Sequence, residues 1–272
     1  MKTCFDSSLI MAKEIRSHSL KMVVNAHASH IGSALSMTDI LAVLYYNILK
    51  INPKEPNDPE RDMFILSKGH ACVSLYATLG LRGFFDMKEL LTYGKNDSDF
   101  MNHISHKVTG VEFSTGSLGH GLPFATGKAL GSKIKKSKNK VFVLLGDGEL
   151  DEGSNWEALL FASHHKLDNL IAIIDYNNLQ SLTTVAKTIN IEPLYDKFIA
   201  FGCEVFEVDG HNHDDLLAVF NKAITIKKKP VVIIAKTVKG KGVSYMENKV
   251  KWHYSTPNSE ELEIALNEIK NA

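Results

Sequence analysis

Asp147 stands between Gly146 and Gly148, and Asn177 follows it thirty positions later. A carboxylate and an amide oxygen are hard ligands of the kind magnesium takes, and such a magnesium site completes its shell with phosphate oxygens and water. The two glycines suit an anion as well, because they remove the Cβ atoms that would hold a large anion away from the backbone. A Gly-Asp-Gly string alone is no more than a tight turn. Its spacing to Asn177-Asn178 is what suggests a site.

Bringing these groups together takes two strands and a crossover. VFVLL (141–145) and LIAIID (170–175) are continuous apolar runs of strand length with a helical pattern between them. Parallel strands joined by a right-handed crossover put their C-terminal ends on one edge of the sheet, so Asp147 and Asn177 are expected as neighbours there. The intervening helix, starting near Leu150 or Asp151, is expected to aim free N–H groups at the same anion. A short strand at the start of FILSKGH, then EVFEV (204–208) and VVIIA (231–235), extend the alternation of strands and helices. The fold class is therefore α/β, a parallel β-sheet with helices on both faces.

Helical spacing is read over about 6–28, 37–50, 121–137 and 192–202, and again after a cap at Asn258 or Ser259. HASHIGSALS (27–36) reads as a turn, and the proline-rich 52–61 as a loop within the domain. Gly127 and Gly131, four apart on one helix, suggest close packing on the sheet.

At 272 residues the chain is expected to be a single domain, with 243–272 as a loop plus a helix. Lysine plus arginine equals aspartate plus glutamate at 31 each, so no general field recruits nucleic acid or membrane, and any anion site must be local. Cys4, Cys72 and Cys203 are scattered and odd in number, which argues for a reducing compartment rather than a disulfide framework or zinc. The N-terminus is not shaped like a signal peptide. A cytoplasmic protein is expected.

GDG followed by NN is the signature of the thiamine diphosphate family, and the chain resembles its transketolases in particular. LSKGH (66–70), GVE (110–112), STG (114–116), SLGHG (117–121) and the pair Trp252-His253 are similar to segments of those enzymes. The resemblance implies a magnesium ion, or another divalent cation such as calcium or manganese, held by Asp147, the Asn177 side chain and the Leu179 carbonyl. It implies that His70 and the turn Gly146, Asp147, Gly148 and Glu149 hold the diphosphate of thiamine diphosphate. The run Gly116, Ser117 and Leu118 would lie against the aminopyrimidine ring.

By the same resemblance His30, His103 and His253 would surround the reacting centre, with His253 also touching the cofactor. His103 is favoured over His106 by its spacing to GVE. Read without the family, His30 is a capping or surface histidine and His70 a histidine satisfied in a turn. Glu152 and Glu157 would sit at a subunit contact with Trp156 buried between them, whereas Asp209-Gly210-His211 and Lys239-Gly240-Lys241-Gly242 read as supporting architecture. The turn at His30 departs from the family at Ser29 and Ile31, and Tyr254, Ser255 and Thr256 replace the usual GKA.

The resemblance covers only the N-terminal part of a full-length transketolase, the diphosphate-binding domain. The expectation is therefore the N-terminal subunit of a split enzyme, acting on sugar phosphates in an α2β2 heterotetramer with a separate chain that carries the pyrimidine-binding domain. Alternatives are the α subunit of a 2-oxo acid decarboxylating complex, a transketolase-like enzyme for an unusual sugar, and a non-catalytic partner protein.

Overall fold

The computed structural model describes residues 5–272. Five strands, β1 (Met63–Leu66), β2 (Val141–Gly146), β3 (Leu170–Tyr176), β4 (Glu204–Asp209) and β5 (Val231–Lys236), form one sheet in the order β1-β2-β3-β5-β4 with every pairing parallel. The central strands read as unbroken apolar runs because both of their faces are covered. One face carries Phe142, Leu144, Ile171 and Ile173, and the other Val143, Leu145, Ala172 and Ile174, in two separate cores.

Among the described residues, ten α-helices supply the covers. On the first face lie α1 (Ser8–Asn25), α2 (Ile31–Ser36), α3 (Thr38–Val43), α4 (Cys72–Leu81), α9 (His213–Ala223) and α10 (Ser259–Asn271). On the second lie α5 (Gly121–Ile134), α6 (Gly153–His164), the short α7 (Val185–Thr188) and α8 (Leu194–Ala200). The chain advances across the sheet through α5, α6 and α8, and then steps back from β4 to β5 through α9. Right-handed crossovers put the reversed step on the opposite face.

Several local expectations change. The turn read over 27–36 is already helical from Ile31, and the helix read over 37–50 is α3 followed by a π-turn from Leu44 to Ile48. The helix after Asp147 does not begin at Leu150. A 3-10 turn (Gly148–Asp151) intervenes, Glu152 is extended, and α6 starts at Gly153. Gly127 and Gly131 do not pack on the sheet, since a Cβ at either would meet nothing within 4 Å, and α5 turns Ala125 and Ala129 inward instead. Trp156 stacks on Phe198 and lies tilted against Phe201 of its own chain, while Glu152 and Glu157 are exposed.

Behind the site, α1, α3 and the turn after β4 are pinned by one buried carboxylate. Asp39 accepts from both terminal nitrogens of Arg16 at 2.9 and 2.6 Å and lies 2.7 Å from His211 Nδ1 and 3.1 Å from His213 Nε2. Burial pushes its pKa up, but the Arg16 charge and the histidine hydrogen bonds outweigh that and hold it well below the usual range. His211 Nε2 accepts from the Val238 N–H at 2.8 Å, so the same network holds the segment after β5. Cys72 and Cys203 are buried free thiols, and Cys4 lies outside the described residues.

Candidate active site

A cavity of about 280 Å³ opens at the C-terminal edge of the sheet, where ligands of open α/β sheets bind. His70 and Lys68 reach it from the end of β1, Gly146 to Glu149 from β2, Asn177, Leu179, Gln180 and Ser181 from β3, and Lys239 from β5. Gly116, Leu118, His103, His30, His253 and Tyr254 complete the lining from loops.

The register pairs Gly146 with Asp175 and so brings Asp147 level with the turn that carries Asn177. Asp147 Oδ2 accepts from the Asn178 N–H at 2.5 Å and Oδ1 from the Gly148 N–H at 2.8 Å. Asn178 takes a left-handed backbone, φ 63°, and Asn177 Oδ1 accepts from the Leu179 N–H at 3.1 Å. Burial, with the Asp175 charge added, pushes Asp147 up to about 6. The amides at the start of α6 do not line the cavity, and the Gly148 N–H is taken by Asp147 itself.

Two buried lysines lie under this edge, and neither was picked out as a site residue from sequence. Lys68, 2% exposed, pairs with fully buried Asp175 and donates to the Ser33 carbonyl at 3.0 Å. Lys239, read from sequence as supporting architecture, donates to the Leu179 and Gln180 carbonyls at 3.0 and 3.1 Å and to His253 Nδ1 at 2.9 Å. Burial and the Lys68 charge push Lys239 down to about 8. A cue to both was their place just after β1 and β5, where the binding edge falls. Asp175 closes a strand that is otherwise apolar. Its carboxylate also accepts from Ser36 and Thr237, and although burial raises its pKa, Lys68 and these bonds bring it below the usual value.

Glu149 lines the cavity and also has a structural task. Its carboxylate, 2% exposed, accepts from Ser67 Oγ at 2.5 Å, the Gly119 N–H at 3.0 Å and the Gly146 N–H at 3.3 Å. It ties the ends of β1 and β2 to the loop before α5. Ser117 is exposed and does not line the cavity, whereas Gly116 and Leu118 do. A Cβ on Gly116 would stand 3.2 Å from the His103 ring.

Four imidazoles gather at one side. The His30 ring lies 5.1 Å from His70, 6.0 Å from His103 and 5.0 Å from His253. His103 is exposed and lines the cavity, whereas His106 bonds to Ser114 outside it. His30 adopts a left-handed backbone, φ 71°, and its N–H donates to the His253 carbonyl at 2.8 Å. Such strain in a non-glycine residue is held only where the surroundings demand it. Burial, then the charges of His103 and Lys239, lower His30 to about 4, and burial, then Lys239, lower His253 to about 3. Burial and Lys68 hold His70 well below its usual value. These three rings are neutral at neutral pH.

A larger surface groove, about 550 Å³, runs along α5 and the 57–61 loop, but its Arg61 is paired with Glu112 and it lies away from every group above.

The arrangement can hold a divalent cation on oxygen donors, face an anion with buried ammonium groups, and offer neutral imidazoles to a polar substrate. The family described as "Transketolase, thiamine diphosphate binding domain" matches residues 7–269. One chain of the apulose-4-phosphate transketolase of Actinobacillus succinogenes, named as a subunit of that enzyme, is 44% identical over 264 residues, covering 96% of this chain and 95% of that protein. The 6-deoxy-6-sulfo-D-fructose transketolase subunit SqwG of Clostridium sp. is 39% identical over 261 residues, covering 95% and 94%. The crystal structure of transketolase from Campylobacter jejuni superposes with a TM-score of 0.92 at 34% identity, covering 97% of this chain but only 42% of that one. With the family match running nearly end to end and the same fold recovered in a solved transketolase, this chain belongs to the transketolase family as its thiamine diphosphate binding domain.

Proposed function

We propose that this chain is the N-terminal subunit of a split transketolase that depends on thiamine diphosphate and a divalent cation, magnesium in the first instance. With a separate chain carrying the pyrimidine-binding domain, as an α2β2 heterotetramer in the cytoplasm, it moves a two-carbon ketol unit from a ketose phosphate to an aldose phosphate. The observation that carries this reading is the convergence of Asp147, Asn177 and Leu179 with four histidines on one sheet edge. Its two-chain form is supported by relatives named as subunits and spanned almost entirely by this chain. No helix among the described residues is long and apolar enough to cross a membrane.

The residues present fit the cofactor. Asp147 is a buried carboxylate short of positive charge, and carboxylate, amide and carbonyl oxygens are the donors magnesium prefers. A Cβ at Gly146 would meet nothing nearer than the Lys68 side chain at 3.7 Å, so the backbone there is open to a large anion. Asp147, Asn177 Oδ1 and the Leu179 carbonyl would hold the metal, with His70 beside the diphosphate and the open backbone at Gly146 giving it room. Bound thiamine diphosphate supplies the carbanion-stabilising chemistry that cleavage of a carbon–carbon bond requires.

The chain's own work is binding and proton handling. Lys239 has no lone pair to offer while protonated, so His253 Nδ1 is the acceptor and the ring's proton sits on Nε2. A neutral imidazole fixed in one tautomer can donate to a substrate oxygen and take the proton back. His30 and His103 stand close enough to share that role along the substrate. Glu149 holds three strand and loop ends together.

The relatives named for apulose-4-phosphate and 6-deoxy-6-sulfo-D-fructose, with the altered 254–256 segment, favour a second reading in which the sugar is an unusual one. The α subunit of a 2-oxo acid complex is disfavoured by the transketolase family match. The test is turnover of xylulose 5-phosphate with ribose 5-phosphate, in thiamine diphosphate and magnesium, with and without the C-terminal chain encoded nearest to it. Activity only in the mixture is expected. Activity of this chain alone would overturn the two-chain reading. A cofactor-binding complex silent with these sugars but active with another would select the second reading.

A further inference from the structure

Tyr254 follows His253 directly and stands in the cavity wall, with its side of the loop facing out at 59% exposure. Its ring lies 5.7 Å from His30 and 4.7 Å from His253, nearly edge-on to both, at 68° and 67°. The loop that carries it is stitched to the turn that carries His30. The His30 N–H donates to the His253 carbonyl, Thr256 Oγ1 donates to the Ala28 carbonyl, and the Tyr254 and Ser255 N–H groups donate to the Lys251 carbonyl at 3.3 and 3.1 Å. The backbone that carries the phenol ring is therefore fixed, and the ring rests edge-on against His30 and His253.

Charge at this end of the cavity points the same way. The two ammonium groups that line it are committed, Lys68 to Asp175 and the Ser33 carbonyl, and Lys239 to two carbonyls and His253. Both are buried, at 2% and 1% exposure. His103, Tyr254, Leu118 and Ser181 also line the cavity, and none of them carries a permanent charge. Among these described residues Tyr254 brings the largest side chain, so its contribution to discrimination is one of shape.

We infer that Tyr254 is a specificity-determining residue, its ring narrowing the passage beside His30 and His253 so that shorter aldose phosphate acceptors are favoured over longer ones. The inference rests on the proposed transketolase activity. Erythrose 4-phosphate and ribose 5-phosphate differ by one hydroxymethylene unit, a difference in length that a fitted wall turns into roughly tenfold selectivity, and removing the ring is expected to release that discrimination.

The experiment uses the two-chain enzyme with thiamine diphosphate, magnesium and xylulose 5-phosphate as common donor. It compares kcat/KM for erythrose 4-phosphate and ribose 5-phosphate in the unaltered enzyme, Tyr254→Gly and Tyr254→Phe. Tyr254→Gly is expected to shift the ratio toward ribose 5-phosphate by about tenfold, mainly through KM. Tyr254→Phe is expected to stay within about twofold of the parent ratio, because the ring and not its hydroxyl sets the width. An equal fall for both acceptors in Tyr254→Gly, carried by kcat, would reduce Tyr254 to a support for His253 and overturn the proposal. So would an unchanged ratio, or a Tyr254→Phe shift as large as that of glycine. These failures all require an active parent enzyme. A parent that turns over neither acceptor overturns the proposal together with its premise for these sugars, so the two failures are distinguishable.

Discussion

Lys239 Nζ lies 2.9 Å from His253 Nδ1 and donates to it, so a residue on the segment after β5 decides which nitrogen of a cavity imidazole carries the proton. Replacing Lys239 with methionine keeps the aliphatic stem and removes the charge. The pKa of His253, held at about 3 by burial and then by Lys239, is expected to rise, and the ring is expected to lose its fixed tautomer. Nitrogen-detected NMR titration of the histidines reads both. A His253 midpoint that does not move would show that the lysine does not act on the ring.

Acid should weaken the fold through His30 and His253. Both pKa values are depressed in the folded chain, to about 4 and about 3, against an ordinary 6.5. Between those values the unfolded chain binds protons that the folded chain refuses. Stability therefore falls as pH drops below about 6.5, and the loss continues until the folded-state values are reached. Urea unfolding across that range is expected to show the decline, with a shallower slope in a His30→Gln, His253→Gln double variant. Equal slopes in the two proteins would assign the acid sensitivity to other groups.

The buried Lys68–Asp175 pair should be costly to break from one side. Lys68→Met leaves Asp175 buried without its countercharge, and about 3–5 kcal/mol of stability is expected to go. Pairing it with Asp175→Leu removes the stranded charge and should recover much of that loss. Denaturant unfolding of the single and double variants checks this. A single variant as stable as the parent would mean that the pair carries little of the site's framework.

Two glycines should answer oppositely to alanine. At Gly69 a Cβ would fall 2.3 Å from the Thr115 carbonyl oxygen, a backbone atom, and a loss of about 1–3 kcal/mol is expected. At Gly127, inside α5 with open space around it, alanine should add about 0.5–1 kcal/mol. Thermal melts of both variants suffice, and a destabilised Gly127→Ala would show that the outer face of α5 is already covered by another chain.

Cofactor retention should depend on Asp147. Asp147→Asn keeps the shape of the side chain and removes the charge that a divalent cation needs. Outer-shell changes cost metal sites about 10–100-fold in affinity, so a direct ligand is expected to cost at least the upper end of that range. Calorimetry of thiamine diphosphate with magnesium into the two-chain protein measures it. Unchanged affinity would remove Asp147 from the metal site.

The parallel sheet was legible because continuous apolar runs such as LIAII mean strands buried on both faces, and the crossover rule then set Asp147 beside Asn177. The start of α6 was not legible. ELDEGSNW reads locally as a capped helix, but Asn155 Nδ2 and Trp156 Nε1 bond the Glu149 and Leu150 carbonyls that a continuous helix would have used, and the chain breaks at Glu152. Lys68 and Asp175 lie 107 residues apart, so their pairing left no local trace. The glycines of α5 misled for a related reason. Spacing puts two residues on one face of a helix, but only the neighbouring Ala125 and Ala129 show which face meets the sheet.

The clasp between His30 and His253, together with that between Ala28 and Thr256, joins segments more than two hundred residues apart. Contacts of such separation pay their loop-closure entropy late and form slowly. The pairings of the sheet span shorter separations, as between Met63 and Val141, whereas the histidine side of the cavity exists only after the two ends of the domain have met. Competence to hold a substrate is therefore expected to come late as the chain folds, and a ligand that bridges the two segments would capture the finished state.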